Sequence, residues 1–341
     1  MTMSKSRIRS EVDFKRDGKQ VGFLRLPHSV HRSAYGWIPI PVACISNGAG
    51  PSVLLMAGNH GDEYEGQIAH ATLLRALEVK DVRGRIIFLP SANFPAAMAG
   101  LRTSPIDDGN LNRSFPGNPD GSATAQIAWY IEHELLPQCD YVLDLHSGGS
   151  SLMYLPSALS RRHADPAKMA LALELLQAFG APISYITDAP PGDDLALPAA
   201  AARQSVMHLG SELGGGGTLT PAALRIAQGG TRRVLARIGV LAASAAPPPA
   251  PATRMLEVRG PEYFVYAPDS GLFEPSVELG DEVVAGQTAG LIHFHDTPWR
   301  EPSPALFQRG GTVLSKRMPC RTERGDCLFH LGTPYQDGPA R

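Results

Sequence analysis

The sequence predicts an α/β protein in which a mixed sheet is flanked by helices and followed by a smaller β-rich domain. The apolar run at residues 53–57 has the length of a strand, and a helical pattern follows Glu63. Residues 84–90 form a second short apolar run. Strand, helix and strand in this order form a βαβ unit, which implies parallel pairing of the two strands. After a proline-rich stretch the pattern changes to short strands separated by regular turns.

This change of pattern divides the chain. We expect a first domain over residues 1–244, a proline-rich linker over residues 245–253, and a β domain over residues 254–341. Residues 271–287 resemble the lipoyl- and biotinyl-type carrier modules, which are β-barrels. Such carriers attach their cofactor to a lysine, and none occurs from Met255 until Lys316. The second domain is therefore expected to be barrel-like and free of cofactor.

The remaining elements follow from apolar spacing and from glycine and proline. Two strands are expected before residue 46, at an edge of the main sheet, with Pro39 and Pro41 interrupting the second. Two stretches, 91–120 and 188–194, have the composition of long loops. The other elements are helices at 123–136, 166–179 and 221–241, a helix starting within 199–204, and a short strand at 206–209. Gly229 and Gly230 predict a break in the helix that contains them.

Composition excludes several classes of protein. The 341 residues are 43% hydrophobic, and 31 Lys+Arg balance 33 Asp+Glu for a net charge of -2. This balance argues against nucleic-acid or anionic-membrane partners. The N-terminus has no secretory signal pattern, and no segment reaches the roughly 18 apolar residues of a membrane span. The four cysteines are scattered, so we expect a cytoplasmic protein with unpaired thiols, leaving a Cys320–Cys327 bridge open.

Metal-type residues follow two of the predicted strands. His60 and Glu63 stand in the turn after residues 53–57, and His146 ends the apolar run 141–145. Strand ends are where open α/β sheets hold their ligands. Imidazole and carboxylate groups suit zinc, and three protein ligands leave a coordination position for water. The sequence therefore predicts a catalytic Zn²⁺ site formed by His60, Glu63 and His146.

Two further blocks complete a recognisable pattern, residues 110–117 with the sequence NLNRSFPG and residues 211–217 with the sequence SELGGGG. The four blocks, in this order, resemble the aspartoacylase and succinylglutamate desuccinylase family of zinc amidohydrolases. These enzymes are relatives of the zinc carboxypeptidases, so the resemblance implies a zinc-carboxypeptidase-like mixed sheet. It also implies zinc-dependent hydrolysis of the amide bond of a small-molecule N-acyl amino acid.

The resemblance suggests roles for individual residues. Glu212 is the candidate general base, since a carboxylate beside a metal-activated water can move its proton to the leaving nitrogen. Asn112 and Arg113 resemble the pair that binds the substrate carboxylate, because a guanidinium meets two oxygens at once. Arg102 resembles the arginine that steadies the carbonyl oxygen. Asp144, two residues before a predicted ligand, suits a role in orienting the site.

Two short segments, 22–25 and 35–41, resemble the subgroup that deacetylates N-α-acetyl-L-2,4-diaminobutyrate in ectoine degradation. That substrate carries a free ammonium, which Asp193 or Asp194 could neutralise. Three alternatives stay open: an aspartoacylase or succinylglutamate desuccinylase type of deacylase, a short-peptide metallocarboxypeptidase, and a zinc-dependent binding module without activity. Assembly as a homo-oligomer is also left open.

Overall fold

The computed structural model of the chain describes residues 6–188, 193–242, 248–249 and 251–336. Its described strands are β1 (Arg9–Ser10), β2 (Gly18–Pro27), β3 (Trp37–Asn47), β4 (Ser52–Ala57), β5 (Gly84–Leu89), β6 (Tyr141–His146), β7 (Leu152–Tyr154), β8 (Ser157–Arg161), β9 (Ile183–Thr187), β10 (Met207–Glu212), β11 (Arg254–Val258), β12 (Phe264–Tyr266), β13 (Gly271–Pro275), β14 (Glu282–Val283), β15 (Thr288–His293), β16 (Ser303–Leu306), β17 (Gly311–Arg317), β18 (Arg321–Thr322) and β19 (Cys327–Pro334).

The described α-helices are α1 (Tyr64–Ala76), α2 (Phe94–Ala99), α3 (Ala123–Tyr130), α4 (Pro166–Phe179), α5 (Leu197–Arg203) and α6 (Pro221–Arg237). Helix α3 continues into a wider turn at Ile131–Leu135, and together these two elements cover residues 123–135 of the predicted helix 123–136. Helix α4 has the predicted bounds: Asp165 caps its first turn, and Gly180 ends it in the left-handed conformation that glycine adopts without strain. In the part of the chain that the structure describes, no helix has the length and apolar character needed to cross a membrane.

A large mixed sheet organises these elements in the order β1-β2-β3-β5-β4-β6-β10-β8-β9-β11-β19-β17-β14. Its central strands β5, β4, β6 and β10 are parallel, and β4, α1 and β5 form the predicted βαβ unit. The strands alternate their side chains between two faces. In β4, Val53 and Leu55 join the apolar core beneath α1, α4 and α6, while Leu54 joins the opposite core with residues of α3 and α5. Helices therefore cover both faces, as the α/β prediction requires.

The two N-terminal strands are confirmed, but β3 passes through both prolines without interruption. It pairs with β2 from Trp37 to Ser46 and with β5 only from Ala43 onwards. Pro39 and Pro41 thus lie where β3 has a single neighbour. A missing backbone N–H is tolerated at such a position because it removes no bond of the second ladder.

The predicted break in α6 is wrong, because the helix runs through Gly229 and Gly230. A Cβ atom at Gly230 would lie 2.7 Å from three ring atoms of Phe179, at the end of α4. Glycine at this position lets the two helices approach each other closely. Tertiary packing therefore outweighs the low helix propensity of glycine.

The predicted barrel is not confirmed. Strands β16, β15, β13 and β18 form an open four-stranded sheet, whereas β17, β19 and β14 extend the large sheet. The large sheet reaches them through β11, which pairs in parallel with β9 and antiparallel with β19. The division into two domains stays a prediction, and residues 245–247 and 250 of the predicted linker lie outside the described residues. All four cysteines are free, so the Cys320–Cys327 bridge is not formed.

Candidate metal and active site

The parallel strands β4, β6 and β10 bring the predicted site residues to one edge of the sheet. Ala57 at the end of β4 pairs with Leu145, and Glu212 at the end of β10 pairs with His146 at the end of β6. The strand ends are therefore level to within about one residue. Side chains from three distant segments meet there because neighbouring strands lie only about 4.8 Å apart.

His60, Glu63 and His146 form the group of candidate metal ligands that the structure brings together. One donor atom from each residue lies within 4.8 Å of the other two. The two Glu63 carboxylate oxygens are shared between the histidines: Oε1 lies 2.6 Å from His60 Nδ1, and Oε2 lies 2.7 Å from His146 Nδ1. Both imidazoles thus present Nδ1 to the same small volume. Two nitrogen donors and a carboxylate around one point form a set that fits zinc.

The outer nitrogen of each imidazole has its own partner. His146 Nε2 donates to Asp144 Oδ2 at 2.7 Å, and His60 Nε2 lies 3.2 Å from Asn110 Oδ1. Asp144 is buried, and Asn59 Nδ2 also donates to its Oδ2 at 2.9 Å. Acceptors on the outer nitrogens keep the proton there and leave the Nδ1 lone pairs free for a ligand. This arrangement is the orienting one that the sequence predicts for Asp144.

The charges around the cluster keep the Glu63 carboxylate ionised, and an ionised carboxylate favours cation binding. Burial alone would raise the pKa of Glu63, but His60 and His146 outweigh burial and hold that pKa well below its usual range. Burial would lower the pKa of His146, yet Asp144 and Glu63 raise it well above the usual value. The Glu63 carboxylate therefore stays ionised, and a divalent cation would take over the charge compensation that a proton on His146 supplies.

Glu212 lies at the end of β10, beside the cluster. Its Oε2 atom is buried and has no hydrogen-bond partner. Burial and the neighbouring Glu63 raise its pKa well above the usual value, and the charges of His146 and Arg102 oppose this shift. A carboxyl group with a raised pKa can both accept and return a proton near neutral pH.

Three predicted substrate contacts lie at the mouth of the same cavity. Arg102 Nη1 lies 3.6 Å from Glu63 Oε1 and 3.3 Å from His60 Nδ1. The exposed Arg113 donates to the carbonyl oxygen of Asn112 at 2.7 Å. The Asn112 side-chain oxygen accepts from Leu197 N at 2.9 Å, so its amide nitrogen is the group that remains to act as a donor. The mouth therefore presents two guanidinium groups and an amide donor.

Asp194, the predicted partner of the substrate ammonium, is not among the described residues that line this cavity. It is exposed, and its backbone oxygen accepts from Arg203 at 2.8 Å. The described residues that line the cavity include its neighbours Ala196 and Pro198 but not Asp194. An ammonium-binding role for Asp194 stays a prediction, and the side chain of Asp193 lies outside the described residues.

The cavity that contains the cluster has a volume of about 430 Å³. Its lining also includes the aromatic residues Tyr154, Tyr185, Phe264 and His330, which sequence reasoning missed. They come from four strands, and no local motif marks them. His208 also lines the cavity, and it could have been found, because it lies two positions before Gly210 and four before Glu212 on one face of β10.

Comparison with known proteins agrees with this geometry. Residues 49–238 match the family model of the succinylglutamate desuccinylase/aspartoacylase catalytic domain. The chain is 41% identical over 323 residues to the N-alpha-acetyl-L-2,4-diaminobutyric acid deacetylase of Halomonas elongata, covering 95% of this chain and 94% of that protein.

Solved structures of the same family are also similar to this chain. The product-bound ectoine utilization protein EutE (DoeB) from Ruegeria pomeroyi superposes with a TM-score of 0.92 at 38% identity, over 97% of this chain and 100% of that chain. A succinylglutamate desuccinylase/aspartoacylase from Rhodobacter sphaeroides gives 0.91 at 39% identity, with the same coverage. The chain therefore belongs to the succinylglutamate desuccinylase/aspartoacylase family and is an enzyme of the amidohydrolase class.

Proposed function

We propose that this protein is a zinc-dependent deacetylase that hydrolyses N-α-acetyl-L-2,4-diaminobutyrate in ectoine degradation. The observation that carries the proposal is the placement of His60, Glu63 and His146 beside Glu212, at the ends of adjacent parallel strands. The relatives named above support the substrate, because one is a deacetylase of this compound and another is an ectoine utilization protein.

His60, Glu63 and His146 would hold the zinc ion through two Nδ1 atoms and the carboxylate. When bound, the ion would polarise the amide carbonyl and lower the pKa of a water molecule towards about 7. Asp144 and Asn110 fix the two imidazole rings through their outer nitrogens. Because the rings are already held in place, less conformational entropy is lost when an ion binds.

Glu212 would remove the proton from the attacking water and deliver it to the leaving nitrogen. Its raised pKa suits both transfers, because the group must gain and lose one proton in each cycle. Arg102, close to His60 and Glu63, would donate to the carbonyl oxygen as negative charge develops there. Arg113 and the Asn112 amide would bind the substrate carboxylate at the mouth.

A substrate panel tests the proposal. The zinc-loaded protein is incubated with N-α-acetyl-L-2,4-diaminobutyrate, N-acetylaspartate, N-succinylglutamate and a set of dipeptides, and the release of free amine is followed. We expect the first compound to give the highest kcat/KM. Preferential cleavage of dipeptides would assign the protein as a carboxypeptidase, and hydrolysis of none of these amides would refute the enzymatic proposal. Cytoplasmic location and homo-oligomer formation stay predictions.

A further inference from the structure

The lining of the active-site cavity includes a cluster of aromatic rings that the chemistry described so far does not use. His330 stacks on Phe264 with a centroid distance of 4.4 Å and an interplanar angle of 4°. Tyr154 and Tyr185 meet His330 edge-on, at centroid distances of 6.0 and 5.9 Å. We call Tyr154, Tyr185, Phe264 and His330 the aromatic cage.

Strand pairing places three of these rings in one row. Tyr154 on β7 pairs with Ser315 on β17, Ser315 pairs with His330 on β19, and His330 pairs with Phe264 on β12. Directly paired residues project from the same face of a sheet. The C-terminal strands therefore supply one wall of the cavity, and Tyr185 on β9 approaches the row from the catalytic half of the sheet.

The cage is electrically neutral, and its members Tyr185 and His330 are buried. His330 is 5% exposed, and neither of its ring nitrogens has a hydrogen-bond partner. Burial lowers the pKa of His330 to about 3, so its imidazole carries no charge near neutral pH. A buried nitrogen lone pair without a donor is costly, so His330 can accept a hydrogen bond from a group that enters the cavity.

A cation is the ligand that fits this wall. Aromatic faces attract cations through their quadrupoles, and a neutral imidazole nitrogen accepts a hydrogen bond from an ammonium group. After the larger effect of burial, the charge of Glu212 contributes to the raised pKa of both Tyr154 and Tyr185, and the Arg102 guanidinium has a smaller opposing effect at Tyr154. Glu212 is therefore the carboxylate whose charge reaches the cage.

The rest of the lining offers a cation no better position. Among the described residues that line the cavity, the carboxylates are Glu63, Asp144 and Glu212, and each is placed at the metal cluster. At another part of the wall, burial lowers the pKa of His208 to about 4; the charge of Asp144 opposes this shift, and Arg161 adds a smaller effect in the same direction as burial. The Arg161 guanidinium also lines the cavity there and repels an ammonium group.

We infer that the aromatic cage binds the free side-chain ammonium group of the acylated amino acid and selects diaminobutyrate over amino acids with neutral or acidic side chains. The inference rests on the proposed deacetylase function and assigns its substrate specificity. It gives the C-terminal strands β12 and β19 a role in recognition through Phe264 and His330.

The test compares two substrates of equal size. N-α-acetyl-L-norvaline has a methyl group where N-α-acetyl-L-2,4-diaminobutyrate has its ammonium, so the ratio of their kcat/KM values isolates the charge. We expect the wild type to prefer the charged substrate. Phe264→Leu should lower this ratio about 3- to 30-fold, the range of a desolvated cation–π contact. Phe264→Tyr keeps a ring and should hold the ratio within about twofold of the wild type.

Tyr266→Leu is the matched control. Tyr266 stacks on Phe264 at 6.3 Å but is 51% exposed and is not among the described residues that line the cavity. Its substitution should leave the ratio unchanged. A wild type without preference for the charged substrate, or a Phe264→Leu variant that slows both substrates equally, would overturn the assignment.

A binding measurement separates this inference from the proposed function. Calorimetry with the zinc-loaded protein compares free 2,4-diaminobutyrate with free norvaline, and His330→Gln serves as a second cage variant. Preferential binding of diaminobutyrate that both cage variants weaken supports the cage, even if no acetylated substrate is hydrolysed. Equal hydrolysis of both acetylated substrates refutes the cage and leaves the deacetylase standing.

Discussion

Asp144→Asn tests whether the buried carboxylate sets the metal affinity of the cluster. The substitution keeps the shape of the side chain and an oxygen that can accept from His146, but it removes the negative charge 2.7 Å from Nε2. The same oxygen also receives the Asn59 amide at 2.9 Å; an amide oxygen can accept from both donors, but without the charge that strengthens both hydrogen bonds. We therefore expect a less basic and less firmly held imidazole.

Loss of such an orienting partner typically weakens metal binding 10- to 100-fold, which corresponds to about 1.4–2.7 kcal/mol. Because Asp144 is 1% exposed, solvent cannot replace its charge, and we expect the upper half of this range. The assay is competition for Zn²⁺ against a chromophoric chelator. Asp140→Asn, at an exposed carboxylate that accepts from Ser52 N at 2.8 Å, is the control. Equal zinc affinity in both variants would refute the reasoning.

Three further predictions address catalysis, packing and pH. Glu212→Gln should keep its zinc content while turnover falls by about 10²-fold or more, and turnover within a few-fold of wild type would move the general base elsewhere. Gly230→Ala should destabilise the protein by about 2 kcal/mol in urea unfolding, because its Cβ meets the buried Phe179 ring at 2.7 Å. Gly229→Ala on the same helix meets Arg233 Nη1 at 3.0 Å, a side-chain tip and not a buried ring, and should destabilise the protein clearly less than Gly230→Ala; equal effects would contradict the packing of α6 on α4. Finally, because burial lowers the pKa of His330 to about 3, the unfolded chain binds a proton there between about pH 6.5 and 3 that the folded chain does not. Stability should fall as pH decreases through this window, and His330→Phe should reduce the slope by about 1.4 kcal/mol per pH unit; an unchanged slope would refute burial of a neutral imidazole.

The metal cluster could be predicted from sequence because its signals are local. His60 and Glu63 lie within one turn after a strand, and His146 ends another apolar run. The rule that ligands gather at the carboxyl ends of parallel strands then supplies the long-range contact. The structure places these three residues together through the register of β4 with β6. Asn110 lies in a predicted functional block, but its contact with His60 depends on how the loop folds back.

The aromatic cage could not be predicted because it depends on pairing between distant strands. Tyr154 and His330 are 176 positions apart by number and meet only because β7 and β19 both pair with β17. Strand pattern likewise predicts the C-terminal strands but not their partners, so the closed barrel was expected where the structure has an open sheet. The predicted break in α6 is wrong for a related reason. Helix propensity is a local property of glycine and contains no information about the packing of Gly230 against the ring of Phe179.

The most direct test of the central claim is a zinc titration of the metal-stripped enzyme. The protein is dialysed against a chelator, and Zn²⁺ is returned in steps while acetate release from N-α-acetyl-L-2,4-diaminobutyrate is measured. If His60, Glu63 and His146 hold one catalytic ion, activity should be lost on stripping and rise linearly to a plateau at about one equivalent per chain. Full activity in protein from which the metal has been removed would contradict the account.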